Sequence, residues 1–302
     1  MLAPLCYAGL RTIGIPTLAR RWRDTGVILC YHNVLSGTHA RGGDPSLHMV
    51  VEAFECQMRW LAANFEVVPL PQFLGRLEGG GPLRGLAAVT FDDGYTGVFS
   101  HAWPLLIELG IPATTFIVAD APARSHSFWW DHSVVQQQAS PERREQWLTT
   151  FRGDGQAILG SLSLPSTGET LPDSYAPADW QEIARVATAG MGLGAHSVTH
   201  RSLPTLTDSE LARELITSRE AIARATGIHP EFFAYPYGRW DTRVRHAARA
   251  AGYRAALTLD YGLNRPGADP WALRRVNVPA GIGDAAFQAW TSGVRLRRGE
   301  AS

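Results

Sequence analysis

Two adjacent carboxylates, Asp92 and Asp93, stand at the end of an apolar run, Leu86–Phe91, and are followed at once by Gly94. An apolar run of this kind reads as a buried strand, and the glycine marks the chain turning away. Two acids at the end of a buried strand are costly to desolvate unless a cation or a reacting proton needs them. Neighbouring strand residues point to opposite faces, so a sharp turn after Phe91 is required to bring both into one cavity in different roles. The alternative is an ordinary Asp-Gly turn with both carboxylates in water. Further along, the stretch from Gly194 to His200 sets His196 and His200 four residues apart, after a second apolar run at 191–195. On a helix that spacing puts two imidazoles on one face, able to chelate one ion. One carboxylate and two imidazoles, with positions left open for water, make a catalytic metal set.

The elements that must hold these groups alternate along the chain. Strands are expected at Val27–Tyr31, which delivers His32 at its end, and at 65–68, Leu86–Phe91, 113–119, 191–195, 231–235, 254–258 and 273–278. Helices are expected at Val51–Asn64, 98–109, 179–189, Asp208–Thr226 and 242–251. Such alternation indicates βα units around a parallel sheet. Seven or eight strands predict an α/β fold, a distorted and incomplete (β/α)7-type barrel, in which chemistry gathers at the C-terminal ends of the strands. Every motif above falls there. From about 120 to 178 the alternation fails, and the stretch is too long for a plain loop, so an insertion with its own helices and loops is expected. One catalytic domain over 25–302 would then follow an apolar and basic segment at 1–24.

Composition removes several classes of function. Acidic and basic residues balance at 28 each, which gives no reason to expect a nucleic-acid partner. Every basic residue is an arginine; without lysine there is no Schiff-base chemistry, no PLP attachment and no Walker-type phosphate loop. Cys6, Cys30 and Cys56 have no spacing of a disulfide framework or zinc ribbon and are expected as small buried hydrophobes. The first residues are apolar but interrupted by Pro4, Arg11 and Pro16, and Arg20, Arg21 and Arg23 follow the apolar part instead of preceding it. That is neither a secretory leader nor the ~20 uninterrupted apolar residues of a spanning helix. A cytoplasmic protein is expected, with peripheral membrane contact open to the first segment as an amphipathic element.

The TFDDGY stretch around Asp92 and the HSVTH stretch from His196 to His200 resemble the polysaccharide deacetylases of carbohydrate esterase family 4, the NodB-homology domain. A third element, FAYPYG from Phe233 to Gly238, fits that family in order and spacing, and the likeness runs from about Val27 to Val278. The resemblance implies that Asp93, His196 and His200 hold a divalent metal, with zinc the expected ion. The open positions would take water and an acetyl carbonyl oxygen, Asp92 would be the general base, and the backbone N–H of Tyr237 would donate to the oxyanion.

Two departures from the family pattern matter. Many members carry an arginine two residues before the third motif's proline, where this chain has Ala234; Arg275 is the expected substitute as tether of the base, with Arg274 in reserve, and a solvated strand-edge arginine is the alternative. The usual late histidine is also missing, since none follows His246. However, the stretch from Leu29 to Asn33 (LCYHN) resembles the early YHxV element of a rearranged branch that includes poly-N-acetylglucosamine deacetylases. On that likeness His32 is the general acid, an imidazole expected to titrate near neutrality. Trp129, Trp130 and Tyr237 are candidate platforms for a sugar ring, the tryptophans equally a core anchor for the insertion, and Asp131 a candidate partner of sugar hydroxyls. The remaining histidines are read as ordinary, with His132 next in line as an acid. The implied function is metal-dependent hydrolysis of N-acetyl groups on amino-sugar residues of an oligo- or polysaccharide. The alternatives are an amidase for a small cyclic amide and a glycan-binding protein without catalysis.

Overall fold

The computed structural model describes residues 2–37, 42–123, 127–162 and 171–296; His39 and His126 lie outside the described residues. Helices α1 (Leu2–Thr12) and α2 (Ile15–Trp22) precede strand β1 (Val27–Tyr31). A short parallel ladder of β2 (Asn33–Leu35) and β3 (His48–Val50) leads into α3 (Val51–Asn64), β4 (Glu66–Val67) and α4 (Leu70–Glu78). Then come β5 (Leu86–Phe91), α5 (Trp103–Glu108) and β6 (Ala113–Ile117), followed in the insertion by α6 (Ser133–Gln138), α7 (Pro141–Thr149) and α8 (Gly155–Gly160). The alternation resumes with α9 (Trp180–Thr188), β7 (Gly192–Ala195), α10 (Asp208–Thr226), β8 (Phe232–Ala234), α11 (Thr242–Ala250), β9 (Ala255–Tyr261), β10 (Leu273–Asn277) and α12 (Asp284–Thr291).

Seven parallel strands in the order β1-β10-β9-β8-β7-β6-β5 form a closed barrel, because β1 also pairs with β5 from Val27 opposite Ala87 to Tyr31 opposite Phe91. The expected barrel is therefore found, one strand short of eight. Its thinnest seam lies between β7 and β8, which share the single pair Ala195–Phe233. All six residues of β5 are buried, as a strand covered on both faces must be. Alternate residues point into the lumen: Ile28, Ala88, Phe116, Leu257 and Leu273 form an apolar cluster there, and α4 closes it below with Leu70, Phe73, Leu74 and Leu77. Polar lumen residues, Thr90 and Arg275, hydrogen-bond above this layer. The catalytic end is thus lifted on an apolar plug.

The helices follow their local signals. In α10, Thr207 and Glu210 make a capping box and Gly227 ends the helix at φ 75°, both standard terminus chemistry. Elsewhere the local reading needed correction. The stretch expected as one helix at 98–109 begins with a π-helical turn, Val98–Ala102, before α5. The interrupted first segment forms two helices, each proline sitting in a first turn where no intrahelical N–H is lost. Buried Tyr7 ties α1 to the C-terminal region, its hydroxyl accepting from Trp290 Nε1 at 2.8 Å and from the Leu296 N–H at 3.0 Å. Of the cysteines only Cys30 is buried; Cys6 and Cys56 are exposed on helices.

Candidate active site

The turn after β5 answers how two neighbouring acids enter one cavity. Asp93 has φ 74° and Gly94 φ 78°, so the chain reverses its side-chain alternation immediately after Asp92. Left-handed backbone is unfavourable for a residue with a Cβ. Asp93, Ser197, His200 and Tyr237 are four of the five non-glycine residues with positive φ among the described residues. Strain of this sort persists only where surrounding structure enforces it, and here it is gathered at one mouth.

The histidine pair does not sit on a helix. His196 and His200 lie in the loop after β7, bent by Ser197 at φ 66° and His200 at φ 59°, with Ser197 Oγ accepting from the His200 N–H at 2.9 Å. The two Nε2 atoms are 3.1 Å apart, and Asp93 Oδ1 lies 3.5 Å from one and 3.4 Å from the other. For bonds of 2.0–2.2 Å, a tetrahedral ion places its ligands about 3.3–3.6 Å apart. His196 Nδ1 donates to the Ala234 carbonyl at 2.8 Å, which leaves Nε2 as the lone-pair nitrogen. Asp93 Oδ1 and His200 Nδ1 are buried without a hydrogen-bond partner, a cost of roughly 1–3 kcal/mol per group unless something else satisfies it. Burial holds both imidazoles below their ordinary range, and hence neutral as metal donors. Burial, then the charges of Asp92 and Asp131, pushes the Asp93 carboxyl up. The three side chains fit a divalent cation.

Asp92 stands in a different field. Arg275, fully buried, grips it with both arms: Nη1 to Oδ1 and Nη2 to Oδ2, each at 2.7 Å. The guanidinium is braced by Nε donating to the Thr258 carbonyl at 2.9 Å and by Phe116 beneath it. Burial alone would raise Asp92, but the Arg275 charge and its hydrogen bonds hold it well below the usual carboxylate range. Arg274 points outward. Cys30 Sγ lies 3.4 Å from Asp92 Oδ2, and a ring nitrogen of His32 lies within 4.8 Å of both groups. The expectation that His32 titrates near neutrality needs correcting: burial pushes it down to about 4, with the Asp92 charge pulling only partly the other way.

Asp92, Asp93, His196, His200 and His32 line a cavity of about 260 Å³ together with Trp129, Trp130, Tyr237, Asp44, Arg144 and Asn277. Trp129 is half-buried at the wall, its Nε1 donating to the Tyr237 hydroxyl at 3.3 Å, and the Tyr237 ring meets His200 edge-on at 4.4 Å. Trp130 is largely an anchor, stacked on Phe128 and tilted against His200 at 4.7 Å. Asp131, expected to meet sugar hydroxyls, does not reach the cavity. It is fully buried, and its oxygens accept from His48 Nε2 at 2.7 Å, the Asp44 N–H at 2.9 Å and the Tyr95 hydroxyl at 2.7 Å. Tyr95 in turn accepts from Trp130 Nε1 at 2.7 Å. Asp131 therefore stitches the insertion to the loop before β3 and to the turn after Asp93. Gly43 passes so close that a Cβ there would stand 2.5 Å from His48 Nε2.

Sequence reasoning missed a further buried carboxylate. Glu214 of α10 accepts from the Val198 and Thr199 N–H groups at 2.8 and 2.9 Å and from the Thr199 hydroxyl at 2.6 Å, fixing the loop between the two histidines. A signal was present: Glu214 falls on the face of α10 that buries Leu211, Leu215, Ser218 and Ile222, where an isolated charge needs a reason.

Residues 80–256 match the family model described as polysaccharide deacetylase. The chain is 23% identical over 270 residues to YxkH of Bacillus subtilis, assigned by name to the polysaccharide deacetylases, over 89% of this chain and 76% of that one. It is 26% identical over 278 residues to the poly-β-1,6-N-acetyl-D-glucosamine N-deacetylase of Escherichia coli K12, over 85% of this chain but only 38% of the relative's length. The structure of IcaB from Ammonifex degensii has the same fold, with a TM-score of 0.65 at 22% identity over 90% of this chain and 98% of that one. The chain belongs to the polysaccharide deacetylase family, whose members are hydrolases of N-acetyl carbon–nitrogen bonds.

Proposed function

We propose that this enzyme removes N-acetyl groups from amino-sugar residues of an oligo- or polysaccharide with a divalent metal, zinc by preference, and that it belongs to the branch with the early YHxV element. The reading rests on one observation: the Asp93–His196–His200 triangle and the Arg275-gripped Asp92 face one cavity that His32 also lines. Asp93, His196 and His200 would hold the ion. When bound, it supplies Lewis acidity toward the acetyl carbonyl and makes a water more acidic. Asp92, kept ionised by Arg275, takes the proton of the attacking water. The backbone N–H of Tyr237 donates to the oxygen that gains charge. His32, neutral at rest, relays a proton to the departing amine nitrogen, taking it from Asp92, which lies within 4.8 Å, through one water. Trp129 and Tyr237 offer apolar faces to the sugar ring.

Acetate release from N-acetylglucosamine oligomers, with and without a chelator, tests the reading. Turnover that stops on chelation and returns with a divalent ion supports it; turnover indifferent to chelation refutes the metal role. A small cyclic amide hydrolysed faster than the oligomers would move the substrate class away from glycans.

A further inference from the structure

Four of the large apolar side chains that protrude from the described surface lie on one short segment. Leu5 is 72% exposed, Ile13 66%, Leu18 53% and Trp22 79%. Single exposed leucines need no explanation, but a run of them on two joined helices does. Leu18 and Trp22 are four residues apart in α2 and so share one side of that helix. The segment carries Arg11, Arg20, Arg21 and Arg23 and no acid before Asp24.

The helices are held firmly on their other side. Tyr7 bonds to Trp290, Arg20 donates to Asn64 Oδ1 at 2.9 Å and lies over Trp60 and Phe65, and Arg23 donates to the Gly293 carbonyl at 3.0 Å. We infer that the free face of α1 and α2 docks on an anionic bilayer surface. Arginines meet lipid phosphates while the apolar tips enter the boundary with the acyl chains, and an exposed tryptophan between arginines suits the headgroup level. A second copy on a twofold axis would instead bring Arg11 and Arg21 against the same two arginines of the other copy. Among the described residues no helix is long and apolar enough to cross a membrane, so the mode is peripheral. Chain direction sets the orientation: α2 runs into β1, five residues long, and His32 follows at the far end, roughly 16 Å on at strand rise. The docked helices lead into the end of the barrel where β1 begins, and the site opens at the other end of that strand.

The test is flotation of the full-length protein with phosphatidylcholine vesicles, with and without phosphatidylglycerol. Wild type should float only with the anionic vesicles and be released by high salt. Leu18→Ser/Trp22→Ser should weaken binding at least about tenfold, the loss of two inserted side chains, and Arg11→Gln or Arg21→Gln about fivefold each. Metal content and turnover of a soluble oligosaccharide should stay unchanged in all of them. The proposal is overturned if wild type ignores both vesicles, or if the Leu18/Trp22 variant floats like wild type. It is also overturned if that variant turns a sedimenting dimer into a monomer while neither protein binds lipid.

Discussion

Replacing Arg275 with methionine keeps an unbranched apolar stem but removes the guanidinium that grips Asp92. The pair is fully buried and doubly hydrogen-bonded at 2.7 Å. Breaking such a pair by deleting one member costs about 3–5 kcal/mol, because the partner remains as an uncompensated buried charge. For a chain of 302 residues that is a fall of roughly 5–8 °C in Tm. Asp92 loses the charge that holds it low while burial, the largest influence on it, still pushes it up. The sign for catalysis follows: wild-type Asp92 is ionised throughout the working range, whereas in Arg275→Met the base becomes protonated on acidification and the acid limb of kcat/KM moves to higher pH. Differential scanning fluorimetry and a pH–rate profile on an N-acetylglucosamine oligomer read the two effects. The double variant Asp92→Asn/Arg275→Met, with no buried charge left over, should unfold at a higher temperature than Arg275→Met alone, a non-additivity expected of groups in direct contact. A single variant within about 1 kcal/mol of wild type, with an unmoved profile, refutes the reasoning.

Three further outcomes are expected. His32→Ala should lower kcat on the sugar by about 10²–10⁴-fold with metal content intact, and by less on an aryl acetate whose leaving group needs no acid; wild-type turnover of the sugar would remove His32 from the mechanism. Glu214→Gln should weaken metal binding about 10–100-fold in chelator competition, the usual cost of disturbing a group that orients a ligand, while a change confined to thermal stability would make Glu214 a structural residue only. The metal-free protein should lose stability as pH falls from 6.5 toward 4, because His32 titrates near 4 when folded and about 6.5 when unfolded. The unfolded chain then binds more protons; a Tm that is flat or rises over that window contradicts it.

The strands were readable because a barrel strand covered on both faces is written as an unbroken apolar run, as Leu86–Phe91 is. The helices α3 and α10 were readable to the residue, since the apolar stripe of the first and the capping box of the second are local signals. What escaped was non-local. The histidine spacing is equally compatible with a helix and with a loop, and only the left-handed Ser197 and His200, imposed by packing, decide for the loop. Asp131 beside two tryptophans reads as a partner of sugar hydroxyls, and its burial instead depends on His48 and Asp44, more than eighty residues earlier in the chain. Arg275 could be proposed as the tether from what Ala234 lacks, but its orientation follows from strand parity, which puts Arg274 outside and Arg275 within.

The two acids that open the site differ by environment alone. Asp92 continues the strand and meets Arg275 across the lumen; Asp93, turned by its left-handed backbone, meets two neutral imidazoles and the field of two other buried carboxylates. One goes low and the other high, the division that separates an ionised base from a group awaiting a cation. Charge accounting reaches the same place as distance. Asp92, Asp93 and Asp131 are all buried at this end of the barrel, and Arg275 is the one buried arginine among the described residues. It is spent on Asp92, while Asp131 is satisfied by neutral donors in Tyr95 and the Asp44 N–H and by His48. Of these three carboxylates Asp93 keeps an unpartnered oxygen, and that oxygen lies 3.5 and 3.4 Å from the two Nε2 atoms. An additional arginine or lysine there would have neutralised it; two imidazoles held neutral do not, and what they offer instead is lone pairs. A site that supplies donors and withholds positive charge is complementary to a cation and to little else.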